Sequence, residues 1–151
     1  HVLDTVLRPR RDTAWIGFKE VRYEPGHFGS YDLLLSHLLF LDTLFPGMHY
    51  LMNVRDPIAA ARSGWWPGND NAEEVLATTR TWLVDAVAEI RRIKGPDRAV
   101  LLDYDAWDGH PEVLIDGFAA LGLPRDDAAV RAAVGERLAH GPHGVVDGTA
   151  T

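Results

Sequence analysis

An arginine and a serine eight positions apart are the first residues in this chain whose types and spacing indicate chemistry. Arg55 follows an apolar run, 48–54, that has the composition of a buried strand, and Ser63 lies in the helix-like segment after it. A planar guanidinium and a short hydroxyl one or two helical turns further on can bind one anion together. The alternative is that Arg55 only pairs with Asp56 or another carboxylate at the sheet edge.

Polar residues also follow two other predicted strands. The run 15–23 is rich in aromatic and β-branched residues, and 98–103 is short and apolar, so we predict a strand at each. The polar residues at or near their ends are Lys19, Glu20 and Arg22 for the first strand, and Asp103, Tyr104 and Asp105 for the second. Because ligands of parallel sheets bind outside the carboxyl ends of the strands, these groups and Arg55 are predicted to share one edge.

The elements that must position these residues alternate between strands and helices. Apolar periodicity, capping residues and Gly-Pro stops predict five helices. They cover 31–45, 58–63, 71–94, the segment between the turn 108–111 and residue 121, and the segment that starts at 126 or 127 and ends at 139. The alternation predicts an α/β fold with a parallel sheet flanked by helices and right-handed crossovers. The apolar strand 48–54 is expected to be covered on both faces.

Composition limits the function classes. The 151 residues predict one domain, and the Gly-rich tail 141–151 is expected to be mobile. A net charge of −7 argues against a nucleic-acid binder, and the absence of cysteine excludes disulfides and thiolate metal sites. No apolar run is long enough to span a bilayer, so we expect no membrane partner and a cytoplasmic location.

Several short segments, in this order, resemble the P-loop sulfotransferases that use 3′-phosphoadenosine-5′-phosphosulfate. The resemblance covers residues 14–140 and is closest to the bacterial branch that acts on carbohydrates and small molecules. Its most specific part is Arg55-Asp56-Pro57 with Ser63 eight positions after the arginine. The other segments are 15–23 with its Lys-Glu pair, Leu44-Phe45-Pro46-Gly47, 102–107 with Pro111-Glu112, and Leu121-Gly122-Leu123-Pro124.

The resemblance implies a P-loop NTPase-like sulfotransferase fold and a role for five residues. Arg55 and Ser63 would bind the 3′-phosphate of the sulfuryl donor, and Tyr104 would lie near the nucleotide. Lys19 would lie near the sulfuryl group, where a fixed cation stabilises developing charge. Glu20 would orient Lys19 or take the proton of the acceptor hydroxyl; the alternative is an ion pair with Lys19 or Arg22. No metal is implied, and the acceptor would be a small molecule or carbohydrate.

The chain departs from the family pattern at two places. The phosphate loop should precede Trp15, yet the fourteen residues before it contain no Gly-rich turn. Asp103 and Ala106-Trp107 also differ from the residues usual around the tyrosine. We therefore expect 1–151 to be the C-terminal part of a larger sulfotransferase domain. The alternative function is a non-catalytic nucleotide- or anion-binding domain, and a kinase relative is weaker because phosphoryl transfer would need a Mg²⁺ site.

Overall fold

The computed structural model describes residues 15–17, 19–20, 22–64 and 66–135. The chain divides into two compact units, His1–Met48 and His49–Thr151. The first unit contains the helices α1 (Pro25–Phe28) and α2 (Tyr31–Leu44). The second contains β1 (Tyr50–Val54), α3 (Pro57–Ala61), α4 (Ala72–Lys94), β2 (Ala99–Asp103), α5 (Tyr104–Trp107), α6 (Pro111–Ala120) and α7 (Asp127–Gly135).

Helix α2 dominates the described part of the first unit and forms where the sequence predicts it. The Ser30 side chain accepts a hydrogen bond from the backbone N–H of Leu33 at 3.3 Å and so caps the helix. Leu34, Leu38 and Leu41 form its buried stripe at helical spacing. The predicted and observed helices differ by one residue at the C-terminal end.

The described residues of the range 15–23 do not form the predicted strand. Their described members, 15–17, 19–20 and 22–23, belong to neither a strand nor a helix. A strand needs a neighbour for its backbone hydrogen bonds, and the described sheet contains only β1 and β2. The aromatic residue Tyr23 instead contacts the Phe28 and His37 rings, at centroid distances of 5.9 and 6.2 Å. Burial raises the pKa of the Tyr23 phenol, and the charge of Glu20 raises it further.

The second unit is an α/β arrangement around two parallel strands. β1 pairs with β2 in the register Tyr50↔Ala99 to Val54↔Asp103. Helix α4 connects them and contacts both strands, with Leu83, Ala86, Val87 and Ile90 buried. Its capping residue Gly95 has φ 119°, a conformation that favours glycine, and this ends the helix before β2.

Helices α4 and α6 lie on opposite faces of β2. Val100 and Leu102 form a buried cluster with Leu121 beside α6, whereas Asp103, of the opposite side-chain parity, bonds to α4. Helix α6 approaches β2 closely: a Cβ added to Gly117 would lie 2.7 Å from Leu102 Cδ2.

β1 is not covered on both faces as predicted. Tyr50, Met52 and Val54 are buried, but Leu51 and Asn53 between them are exposed. The reason is that α6 contacts β2, while α4 covers the face of β1 that carries the buried residues.

One described helix was not predicted, and one predicted helix can be compared with the structure only in part. Residues 104–107 form the single-turn helix α5, which the sequence did not predict. The prediction of a helix to 139 is met as far as Gly135, and its last residues, like the tail 141–151, lie outside the described residues.

None of the helices in the described part of the chain combines the length and apolar character that crossing a membrane requires.

Candidate functional site

Arg55 lies at the carboxyl end of β1, where the chain turns into α3. The Asp56 side chain accepts a hydrogen bond from the Ala59 N–H at 2.8 Å, and Pro57 occupies the first helical turn. This short helix returns the chain, so that Arg55 Nη1 donates a hydrogen bond to Ser63 Oγ at 3.4 Å. The contact is long for a hydrogen bond, and the Arg55 side chain is 36% exposed. The structure thus brings Arg55 and Ser63 together across eight positions.

The Ser63 hydroxyl has a defined role in the present arrangement. It donates a hydrogen bond to the Ala60 carbonyl at 2.9 Å while it accepts one from Arg55. A hydroxyl carries one donor hydrogen, which rotates about the Cβ–Oγ bond. Binding an anion with Ser63 therefore requires that this hydrogen turn from Ala60 toward the ligand.

Helix α5 brings two side chains to Arg55 from the end of β2. The Arg55 guanidinium carbon lies 4.6 Å from the centre of the Tyr104 ring, which is a cation–π distance. Asp105 Oδ1 lies 3.7 Å from Arg55 Nε, and Asp105 Oδ2 accepts the Asp56 N–H at 2.7 Å. Tyr104 and Asp105 thus contact the guanidinium from α5, whereas Ser63 contacts it from the segment that follows α3.

The ion pair with Asp105 corresponds to the alternative that Arg55 pairs with a carboxylate at the sheet edge. Arg55 pairs with a carboxylate at the sheet edge, but that carboxylate is Asp105; Asp56 serves as the cap of α3. The pair is loose, since 3.7 Å exceeds a hydrogen-bond length. Arg55 Nε is buried and has no hydrogen-bond partner among the described residues, so the pair does not saturate the arginine.

A second pair neutralises the neighbouring charge. Arg80 on α4 donates a hydrogen bond to Asp103 Oδ2 at 2.8 Å. The other oxygen of Asp103 accepts the Asp105 N–H at 3.1 Å and caps α5. The charged groups at and around Arg55 are therefore two arginines and three carboxylates. One of each, Arg80 and Asp103, form an ion pair at hydrogen-bond distance.

Lys19 and Glu20 belong to the first unit, and no strand positions them. Lys19 is exposed. Glu20 Oε1 accepts a hydrogen bond from the Arg22 N–H at 2.9 Å and lies 3.5 Å from Arg22 Nε. Of the alternatives open for Glu20, the ion pair with Arg22 is thus present, and the predicted catalytic roles of both residues stay predictions.

Three residues at this edge were missed by sequence reasoning. Trp107 Nε1 donates a hydrogen bond to Asn53 Oδ1 at 3.1 Å, and its ring packs edge-to-face on Tyr104 with centroids 4.7 Å apart. An amide inside an apolar strand was a signal for Asn53. Nothing in the sequence indicates that Arg80 meets Asp103, because the two are 23 positions apart on different elements.

Within the described ranges, no three His, Asp or Glu residues are grouped so that they could hold a metal ion. Comparisons of the chain with known family models, with characterised proteins and with solved structures found no match.

Proposed function

We propose that this chain belongs to a sulfotransferase that uses 3′-phosphoadenosine-5′-phosphosulfate, and that Arg55 and Ser63 bind the 3′-phosphate of this donor. The observation that carries the proposal is the contact of Arg55 Nη1 with Ser63 Oγ at the carboxyl end of β1. The edge of a parallel α/β sheet is where such folds bind ligands. The fold proposed for the whole domain is the P-loop NTPase-like sulfotransferase fold.

The charge and geometry at Arg55 fit a phosphate. A guanidinium forms charge-assisted, bidentate bonds to phosphate oxygens, and a serine hydroxyl adds one neutral donor. The side of Arg55 that carries Nε faces Asp105, whereas Nη1 faces Ser63. A phosphate is therefore expected to bind at the two Nη nitrogens of Arg55 together with Ser63. The Tyr104 ring contacts the face of the guanidinium.

The reaction would be an in-line transfer of the sulfuryl group. The acceptor, a hydroxyl or amine of a small molecule or carbohydrate, forms a new bond to sulfur as the bond from sulfur to the 5′-phosphate oxygen breaks. The leaving product is 3′-phosphoadenosine-5′-phosphate, and the acceptor proton goes to a base, for which Glu20 is the proposed candidate. Lys19 is proposed to stabilise the charge on the sulfuryl oxygens and the leaving phosphate.

Calorimetry with two nucleotides tests whether Arg55 and Ser63 bind the 3′-phosphate. 3′-Phosphoadenosine-5′-phosphate is titrated into the wild type and into Arg55→Ala, with adenosine 5′-phosphate as the ligand that lacks the 3′-phosphate. Loss of a charge-assisted bond is expected to raise Kd for the first nucleotide about 10- to 100-fold and to leave Kd for the second unchanged. Ser63→Ala is expected to raise Kd by about three- to ten-fold, since it removes a neutral donor.

Arg92→Ala is the matched control, because Arg92 is an arginine of α4 that pairs with Glu89 on the same exposed helix surface. Equal affinity of wild type and Arg55→Ala for 3′-phosphoadenosine-5′-phosphate would rule out the binding of the 3′-phosphate by Arg55. Binding that depends on Arg55, in a full-length version of the protein that turns over no sulfuryl donor, would instead support the non-catalytic nucleotide-binding alternative.

A further inference from the structure

Trp107 is in contact with three parts of the second unit. Its indole N–H donates to the side chain of Asn53 on β1 at 3.1 Å. Its ring lies against Tyr104, at 4.7 Å and an interplanar angle of 69°. It also packs against the buried cluster of Val100, Leu102 and Leu121. The tryptophan thus fastens α5 both to β1 and to the core beside α6.

These contacts form a closed path around Arg55. Asn53, on β1, precedes Arg55 by two residues along the chain, so its position is tied to that of Arg55 through the Val54 backbone. From Asn53 the path runs through Trp107 to Tyr104, whose ring lies 4.6 Å from the Arg55 guanidinium carbon. Because each link is a directional contact, the path restricts the position of the Tyr104 ring relative to the end of β1.

We propose that Trp107 and Asn53 are positioning residues of the site: their hydrogen bond holds Tyr104 under Arg55 and so keeps the guanidinium turned toward Ser63. The inference rests on the proposed function for the identity of the ligand. It gives a role to Ala106-Trp107, which departs from the family pattern. A leucine in place of Trp107 would offer an apolar side chain to the buried cluster, but it has no N–H to donate to Asn53.

The expected benefit is preorganisation. A guanidinium already held in its binding orientation loses less rotamer freedom when the phosphate arrives. Neither Trp107 nor Asn53 is placed in contact with the ligand, so their removal should weaken binding without removing any ligand contact.

Two single variants and their combination test this role. Trp107→Phe keeps an aromatic ring for packing and removes the N–H, and Asn53→Ala removes the acceptor at an exposed position of β1. Each is expected to raise Kd for 3′-phosphoadenosine-5′-phosphate about three- to ten-fold. The Kd of the double variant should be no higher than that of the single variant with the higher Kd, because both changes delete the same hydrogen bond. Trp82→Phe, the same chemical change at a half-buried position of α4, should leave Kd unchanged.

A readout in the unliganded protein separates this inference from the proposed function. The ¹H–¹⁵N signal of Arg55 Nε–H, assigned by its loss in Arg55→Ala, should be well dispersed in the wild type because this nitrogen is buried. It should shift or broaden in Trp107→Phe and in Asn53→Ala, and stay unchanged in Trp82→Phe. Failure of the wild type to bind the nucleotide would overturn the proposed function alone, since the signal would still report positioning.

An unchanged Arg55 signal in both Trp107→Phe and Asn53→Ala would overturn the positioning role, whatever the nucleotide affinity. Additive losses of affinity in the double variant would also overturn it, because the two residues would then act separately. Thermal melts of the variants check that both are folded, and Asn53→Ala carries the test if Trp107→Phe fails to fold.

Discussion

At the scale of single residues, the affinity of Arg55 for an anion is set by competition with Asp105. The Asp105 carboxylate lies 3.7 Å from Arg55 Nε and also accepts the Asp56 N–H at 2.7 Å. The side chains of Asp105 and Arg55 are 46% and 36% exposed, so solvent screens this pair. The carboxylate therefore orients the arginine and, at the same time, repels a negatively charged ligand.

Asp105→Asn separates these two effects. An asparagine oxygen can still accept the Asp56 N–H, while the negative charge beside Arg55 is lost. We expect the affinity for 3′-phosphoadenosine-5′-phosphate to increase about three- to ten-fold, as removal of a nearby like charge predicts. Calorimetry at low and high salt measures this, with Asp108→Asn, an exposed carboxylate at the end of α5, as the control. A weaker affinity in Asp105→Asn would mean that orientation of Arg55 by the charge outweighs the repulsion.

Among the helices and strands, the packing of α6 against β2 determines the position of the site. Residue 117 has to be small, because a Cβ there would lie 2.7 Å from Leu102 Cδ2 and 3.5 Å from Val100 Cγ1. Leu102 is only 4% exposed, so its side chain has little room to move away. β2 continues directly into Asp103 and α5, and thus the packing of α6 on β2 determines where Tyr104 and Asp105 begin.

Gly117→Ala is expected to destabilise the protein despite the better helix propensity of alanine. Overpacking a core costs about 1–3 kcal/mol, whereas replacing glycine in a helix interior gains about 1 kcal/mol. The net loss of unfolding free energy should be on the order of 1 kcal/mol. Urea unfolding followed by circular dichroism measures it.

Gly135→Ala in α7 is the control for this change, since beyond the neighbouring residues and backbone of α7 itself no described atom lies within 4 Å of the position of its Cβ. It should be neutral or slightly stabilising. A gain of stability in Gly117→Ala as large as in Gly135→Ala would contradict the close packing of α6 on β2.

At the scale of the whole molecule, the predicted roles divide between the two units. Arg55, Ser63 and Tyr104, the residues proposed to bind the donor, belong to the second unit, and Lys19 and Glu20 belong to the first. The net charge of −7 gives a field that opposes anionic ligands at long range. Binding of a polyanionic nucleotide therefore has to come from local contacts such as the one at Arg55.

Lys19→Ala tests the division of roles. If Lys19 acts on the sulfuryl group in the transition state, its removal from a full-length version of the protein should lower turnover of the donor about 10²- to 10³-fold. The affinity for 3′-phosphoadenosine-5′-phosphate, which lacks the sulfuryl group, should change by less than about two-fold, as a transition-state contact implies. The measurements are product formation from labelled donor and calorimetry. Unchanged turnover would remove Lys19 from the reaction.

The features that depend on residues close together in the chain could be predicted from the sequence. The cap at Ser30, the apolar stripe of α2, the stop at Gly95 and the positions of β1 and β2 follow from short-range capping, periodicity and turn chemistry. The convergence of Arg55 and Ser63 also belongs here, because only a turn and a five-residue helix separate them.

The pairings between distant residues could not be predicted from the sequence and are seen only in the folded chain. Residues 15–23 have strand composition, yet a strand forms only where another strand offers its backbone groups. The choice of Asp105 as the partner of Arg55, and of Asn53 as the partner of Trp107, joins residues about fifty positions apart. Such pairs depend on the register of β1 against β2 and on the single turn of α5, and neither is encoded in the spacing along the chain.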